Sequence, residues 1–280
     1  MRALTENDMS ASDGQWCLDE FATAELKDAR LNRRCGELAM QFAMQPSGPI
    51  NQACEDWADT KAAYRFFDND KVTPERIRAP HHQRTVERIT RHRQVLAVQD
   101  TSFLNYTHHP QTEGLGAIGN KSQHQRGLGM HTTLAMTTQG LPLGLLTQAF
   151  FTRPEDEPAH RPEECRKLPI EEKESYRWLQ AFEQTLTLAP PGVQVITVCD
   201  READIYEMFV FAQKREASLL VRASSNRALL DDEVRKLWPK AKKQPITGYL
   251  TVHILGNDKR KARQATVSVR FTSVTLRPPW

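Results

Sequence analysis

No run of about 18 apolar residues occurs in the 280-residue sequence, so a membrane-spanning helix is excluded. The first twelve residues lack the basic start and apolar stretch of a secretory leader. Cysteine is sparse: five residues, at 17, 35, 54, 165 and 199, with no Cys-x-x-Cys pair. An odd count in that arrangement argues against a disulfide framework or a zinc finger and points to a reducing cytoplasm. A Gly-rich phosphate loop closing on Gly-Lys-Ser/Thr is missing, and Ser102, Ser122 and Ser175 lie outside any Gly-x-Ser-x-Gly elbow. Apolar residues, at 39%, fall below the usual ~45–50%, but a chain of this length still builds a core. Charged residues make up 26% and are mixed in sign, which argues against wholesale disorder.

The net charge of +3 conceals a gradient. Between Arg153 and Glu174 eight acids face five bases. From Val234 to Trp280 eleven bases face Asp258 alone, and from Arg76 to Arg93 six arginines face only Glu87. Two basic zones on a nearly neutral chain suggest contact with a polyanion, with solvated surface as the plain alternative.

The first ninety residues read as helical. Leu31, Cys35, Leu38 and Phe42 recur at helical spacing, and Pro46, Gly48 and Pro49 end that segment. A second helix is expected from Ala53 to Phe67, with Trp57, Tyr64 and Phe67 as core, and Trp16 is assigned to the core as well. A third opens at Thr73-Pro74-Glu75, where Thr caps and Pro suits the first helical position; Pro80 is expected to interrupt it, with a further helix to Arg91. Val95 to Asp100 then reads as a strand ending in an acid. Strands over 130–138 and 141–151 flank a turn at Thr138-Gln139-Gly140. The acidic stretch from Arg153 to Pro169 reads as a surface loop, Glu171 to Leu188 as a helix, Val193 to Cys199 as a strand again ending in an acid, Glu202 to Lys214 as a helix, and Leu219 to Val221 as a strand. Basic strands are expected over 249–255 and 266–276. The order is that of an α/β core carrying both parallel and antiparallel pairs behind a helical head.

Asp100 and Asp200 both lie just beyond apolar strands, where reactive groups of α/β sheets gather. Should those strands be neighbours, the carboxylates converge, and a divalent cation relieves their repulsion. Oxygen donors favour Mg2+ or Mn2+ over zinc, and a two-ion clamp would serve phosphoryl transfer. The plainer readings are a helix N-cap for Asp200 and a turn cap for Asp100. His81–His82 and His108–His109 are adjacent pairs whose side chains diverge, so neither makes a metal clamp.

Val98-Gln99-Asp100-Thr101-Ser102-Phe103-Leu104-Asn105-Tyr106 resembles the first catalytic-acid motif of bacterial cut-and-paste DDE transposases, in the transposon-five-like branch of the insertion-sequence-four family. Val198-Cys199-Asp200-Arg201-Glu202-Ala203-Asp204-Ile205-Tyr206 resembles the second. Lys61 to Phe67, Gly119-Asn120-Lys121-Ser122, Leu220-Val221-Arg222 and the stretch from Trp16 to Arg34 agree with the same family. The resemblance implies an RNase-H-like (integrase-type) core over 94–225 behind an all-helical DNA-end-binding domain over 1–93, with the start of a β-rich insertion over 226–280. It implies that Asp100 and Asp200 are catalytic and hold Mg2+, with Mn2+ as substitute. It also implies that Arg30, Arg34 and Arg222 contact DNA, with Arg33 on an adjoining helix face and Lys121 assigned to the same contact, and that the protein acts as a homodimer on duplex transposon ends in a bacterial cytoplasm, with the nucleoid and not a membrane as its setting. In the family a third acid, a Glu, follows within a Tyr-x-x-Arg-x-x-x-Glu pattern; no such pattern occurs after Arg222, and Asp231, Asp232 and Glu233 read as a helix N-terminus. The expectation is therefore a C-terminally truncated transposase. Its rivals are a DNA-binding remnant that does not cut and a nuclease that recruits its last ligand from another subunit.

Overall fold

Helices α1 (Gln15–Glu20), α2 (Ala29–Met44), α3 (Ile50–Ala53), α4 (Trp57–Phe67) and α5 (Pro74–Ile89) build the head. The computed structural model describes residues 14–119, 124–153, 168–230 and 233–279. Three of these helices start on side-chain caps: Asp28 accepts from Arg30 N–H, Asp56 from Asp59 N–H and Thr73 from Arg76 N–H. The core between them is Leu26, Cys35, Leu38, Cys54, Ala63 and Phe66.

Two expectations for the head are overturned. Trp57 is 68% exposed and Tyr64 56% exposed, and Trp16 and Phe67 also face outward. On α4 the buried stripe is Thr60, Ala63 and Phe66. Fully buried Ala63 leaves room for close packing that an indole or phenol would block, while Lys61 stacks its ammonium 5.3 Å from the outward Trp57 ring. Pro80 does not interrupt α5, which runs unbroken from 74 to 89. Proline removes one backbone donor there, but contacts from both halves fix the helix on a single axis. Arg78 donates to Gln148 C=O at 2.7 Å, and His81 and Arg88 reach the backbone of residues 145 and 143.

The sheet begins at β1 (Gln94–Asn105), followed by β2 (Gly116–Ile118), β3 (Gln125–Thr137) and β4 (Pro142–Phe151). After α6 (Tyr176–Leu188) come β5 (Gln194–Cys199), α7 (Tyr206–Lys214) and β6 (Ser218–Val221). Strand order is β2-β3-β1-β5-β6, with β4 also paired to β3. The β1, β3 and β4 pairs are antiparallel, and β1, β5 and β6 are mutually parallel. Gly140, at φ +88°, closes the expected turn between β3 and β4. Period-two burial along β1 and β3 separates two faces. One face, with Val95, Ala97, Ala135 and Leu143, packs against Ile89 of α5, and farther along Cys199 meets Trp178 and Phe182 of α6 and Met208 of α7. The opposite face presents half-buried Leu96, Val98, Leu128, Met130, Leu134 and Ile196.

Beyond β6, α8 (Leu237–Lys243) precedes a separate antiparallel ribbon, β7 (Gly248–Ile254) and β8 (Arg263–Val269). The ribbon stops at Val269 rather than at Leu276, which makes only an isolated bridge to Leu229. The helices expected over 171–188 and 202–214 begin later, at 176 and 206, each preceded by a separate 3-10 turn at 170–172 or 201–203. Most of the acidic stretch between Arg153 and Pro169, together with Lys121, Asp231 and Asp232, lies outside the described residues.

Candidate functional site

Strands β1 and β5 pair in parallel up to Val98 opposite Val198, and β5 pairs with β6 through Val198–Leu220 and Cys199–Val221. Counting two residues on from Val98, Val198 and Leu220 gives Asp100, Asp200 and Arg222. Asp100 thus lies on β1 just past its pairing with β5, and Asp200 and Arg222 directly follow β5 and β6; all three are exposed. The expected adjacency of the two acid-bearing strands is present. One detail differs: Asp100 does not end β1, which continues to Asn105 along β3 with Asp100 opposite Thr132. It is therefore no turn cap. Asp200 does cap the 201–203 turn, its Oδ1 accepting from Glu202 N–H at 2.7 Å. That bond occupies one oxygen of an exposed side chain.

Among the described residues no hydrogen bond or ion pair engages the Asp100 carboxylate, and no group of three or more His, Cys, Asp or Glu side chains converges to hold a metal ion. Cys199, next to Asp200, is no thiolate donor at neutral pH: burial, then the Asp200 charge, pushes its thiol up to about 12. Arg222 N–H bonds Cys199 C=O at 3.2 Å, which stitches the β6 end to the β5 end.

The string from Asp200 to Asp204 divides its labour. Ala203 is fully buried. The buried Asp204 carboxylate accepts from Ser224 N–H at 2.7 Å, Ser225 N–H at 2.9 Å, Ser224 Oγ at 3.1 Å and Arg227 Nε at 2.7 Å. Burial raises its pKa, but the Ser224 N–H, the Arg227 guanidinium and the Ser225 N–H outweigh that and hold the carboxyl below the ordinary range. Asp204 thus clamps the loop after Arg222 to the turn after Asp200.

A polar network that no sequence signal announced lies on the helical side of the same strand ends. His131 Nδ1 is 2.8 Å from Thr101 Oγ1, and Arg177 Nε donates to that hydroxyl at 3.2 Å. Burial, then the Arg177 charge, lowers His131 to about 4, so the ring is neutral at physiological pH. Gln99, oriented so that its amide satisfies Phe182 N–H and Trp178 C=O at 3.2 Å each, ties β1 to α6. Its members come from β1, β3 and α6, and the pairs are 76 and 30 residues apart. Local spacing could not reveal them.

The basic residues expected to meet DNA fall into two groups. Arg33 is exposed with no partner among the described residues, and Arg30, 86% exposed, pairs only with its own cap Asp28 at 3.3 Å. Arg34 is mostly covered and spends its guanidinium on Asp59, with 2.9 Å to the carbonyl and 3.1 Å to the carboxylate, so it joins α2 to α4. Arg88 is likewise committed to Glu20.

A solved structure described as the Mos1 strand transfer complex is similar to this chain at 11% identity, with a TM-score of 0.25, over 80% of this chain and 60% of that one. A likeness at that score fixes no topology. Residues 13–72, which span α1 to α4, match the family model of the transposase DNA-binding domain, and the helical head thus carries a transposase-type DNA-binding module.

Proposed function

We propose that the chain is a DNA-transposition protein of the DDE type, whose head grips duplex transposon ends and whose sheet carries Asp100 and Asp200 as the first two metal-binding acids. The observation that carries the reading is the parallel pairing of β1 with β5 and of β5 with β6, strands that lead into Asp100, Asp200 and Arg222, in a chain whose residues 13–72 match a transposase DNA-binding model. The meander of β1, β3 and β4 continued by parallel β5 and β6 supports an RNase-H-like core. The domain limits at residues 93 and 225 and a homodimer on DNA belong to the same reading.

Two exposed carboxylates on neighbouring strands, with one oxygen of Asp200 already used, fit a single hard cation such as Mg2+ or Mn2+. A cation held there would supply positive charge to a phosphodiester oxygen. Asp100 and Asp200 would hold it, Arg222 would bind a neighbouring phosphate as a point of charge and hydrogen bonding, and Arg30 and Arg33 would bind the duplex backbone. Lys121 belongs to the same DNA-contact set. A second ion would need a further ligand, and none converges on the pair among the described residues. The second reading is a DNA-binding protein that does not cut.

Fluorescence anisotropy of the full chain on duplex DNA across salt concentrations tests the DNA half. The expected affinity falls steeply, with a log–log slope near −0.9 per neutralised phosphate; affinity indifferent to salt would refute it. A nicking assay with Mg2+ separates the two readings. Nicking that disappears in the Asp100→Ala, Asp200→Ala double variant means a complete site, and equal background in both means binding without cleavage.

A further inference from the structure

We propose that Arg177 is the positioning residue of the acid pair, one guanidinium that braces the segment after Asp100 against the segment after Asp200 so that both carboxylates meet the same cation. The proposal rests on the acid-pair reading above and goes beyond it to a residue that neither acid motif contains. The β1–β5 ladder ends at Val98–Val198, so no strand-to-strand backbone bond fixes the spacing where the carboxylates stand. Arg177, the second residue of α6, bridges that gap from the helical face. Its Nε donates to Thr101 Oγ1 at 3.2 Å, and Thr101 directly follows Asp100. Its Nη2 donates to Glu202 Oε2 at 3.1 Å, and the Glu202 backbone N–H is the group that Asp200 Oδ1 accepts at 2.7 Å. The remaining nitrogen is anchored at home, on Glu174 C=O at 2.7 Å and Glu174 Oε1 at 2.9 Å.

The anchor is itself fixed. Arg153 holds both Glu174 oxygens at 2.8 Å, and the Arg177 guanidinium lies 5.0 Å from the Phe151 ring centre. The result is an alternating chain Arg153–Glu174–Arg177–Glu202 that ends on the Asp200 turn. A guanidinium spreads five donors over three nitrogens in a fixed plane and so spans partners that lie apart, whereas the three donors of an ammonium leave a single nitrogen. Loss of a group hydrogen-bonded to a metal ligand typically weakens metal binding ~10–100-fold; Arg177 acts one step farther out, through Thr101 and Glu202, so the low end of that range is expected.

Charge and positioning predict opposite signs. A cation near a cation site repels the metal, so if Arg177 acted by charge alone, its removal, which also frees Glu174 and Glu202, would tighten metal binding. The experiment is an Mn2+ titration of the full chain followed by electron paramagnetic resonance of the free ion, with thermal unfolding recorded for each variant. Wild type should bind Mn2+ and the Asp100→Ala, Asp200→Ala double variant should not. Arg177→Met, which keeps the apolar stem over Phe151, should bind about tenfold more weakly, and Arg177→Lys, which keeps the charge and loses the fork, should also weaken. A Thr101→Val variant should shift in the same direction. Unchanged or tighter binding in Arg177→Met, or wild-type affinity in Arg177→Lys, would overturn the proposal. Should Arg177→Met fail to fold, Arg177→Lys and Thr101→Val decide. Wild type that binds no Mn2+, or a double variant that binds equally well, would instead overturn the acid-pair reading beneath it.

Discussion

Asp204 stands four residues from Asp200 and does the opposite job: one carboxylate faces solvent, the other is buried under two backbone N–H groups, a hydroxyl and a guanidinium. Removing one partner of a buried ion pair costs ~3–5 kcal/mol because the other charge is stranded. Asp204→Ala should therefore lose about 3 kcal/mol in urea unfolding, whereas Asp200→Ala should lose ~1 kcal/mol, the worth of a cap. The pH dependence follows from the same bonds. A carboxyl held below its ordinary pKa contributes stability that is complete above the unfolded value and is lost as pH falls through the folded one. Glu20, where bonds from Arg88 and His81 outweigh burial, has the same direction. Urea midpoints should hold from pH 7 to about 5 and fall below about 4, with a shallower fall in Asp204→Asn. Arg33 and Arg34 are neighbours in sequence with different expected losses. Arg33→Ala should lower the DNA salt slope by ~1 and leave stability alone, while Arg34→Ala should cost ~2 kcal/mol through its bonds to Asp59. The sequence offered both arginines as DNA contacts; only packing distinguishes them.

At the scale of elements, α5 ties the DNA-binding head to the sheet. Glu20 at the end of α1 receives both Arg88 nitrogens, at 2.7 and 2.8 Å, and lies 2.6 Å from His81 Nδ1. His81 Nε2 accepts from Leu145 N–H at 2.9 Å, and Arg88 Nε donates to Leu143 C=O. Leu143 C=O, Leu145 N–H and Gln148 C=O of edge strand β4 are thereby engaged by a helix, which hinders pairing of that stretch with other chains. The approach depends on Gly144, at φ +134°, where an added Cβ would run into the Thr85 side chain. Gly144→Ala should destabilise by about 2 kcal/mol or more, and chemical denaturation measures it; a change below ~0.5 kcal/mol would show that α5 sits on β4 loosely. The start of α5 was readable from Thr73-Pro74, and the apolar runs ending in Asp100 and Asp200 gave both central strands. Its passage through Pro80 was not, because the contacts that hold it straight are with residues about 65 positions away. Aromatics on α4 misled for a related reason: size marks a core candidate, but close helix approach selected Ala63 and left Trp57 and Tyr64 outside.

For the whole molecule, a head that matches a transposase DNA-binding domain precedes a sheet whose central strands lead into two exposed carboxylates and an arginine. Among the described residues no helix is long and apolar enough to cross a membrane, and the basic ribbon of β7 and β8 adds positive charge well apart from the head in sequence. The central claim is that Asp100 and Asp200 share one cation. Iron-directed cleavage measures that without any need for turnover: Fe2+ replaces the native ion, and peroxide with ascorbate then cuts the polypeptide near the bound metal. Backbone cuts are expected near residues 100 and 200 together, suppressed by excess Mg2+ and absent from the Asp100→Ala, Asp200→Ala variant. Cuts at neither position, or cuts that survive the double substitution, would contradict it.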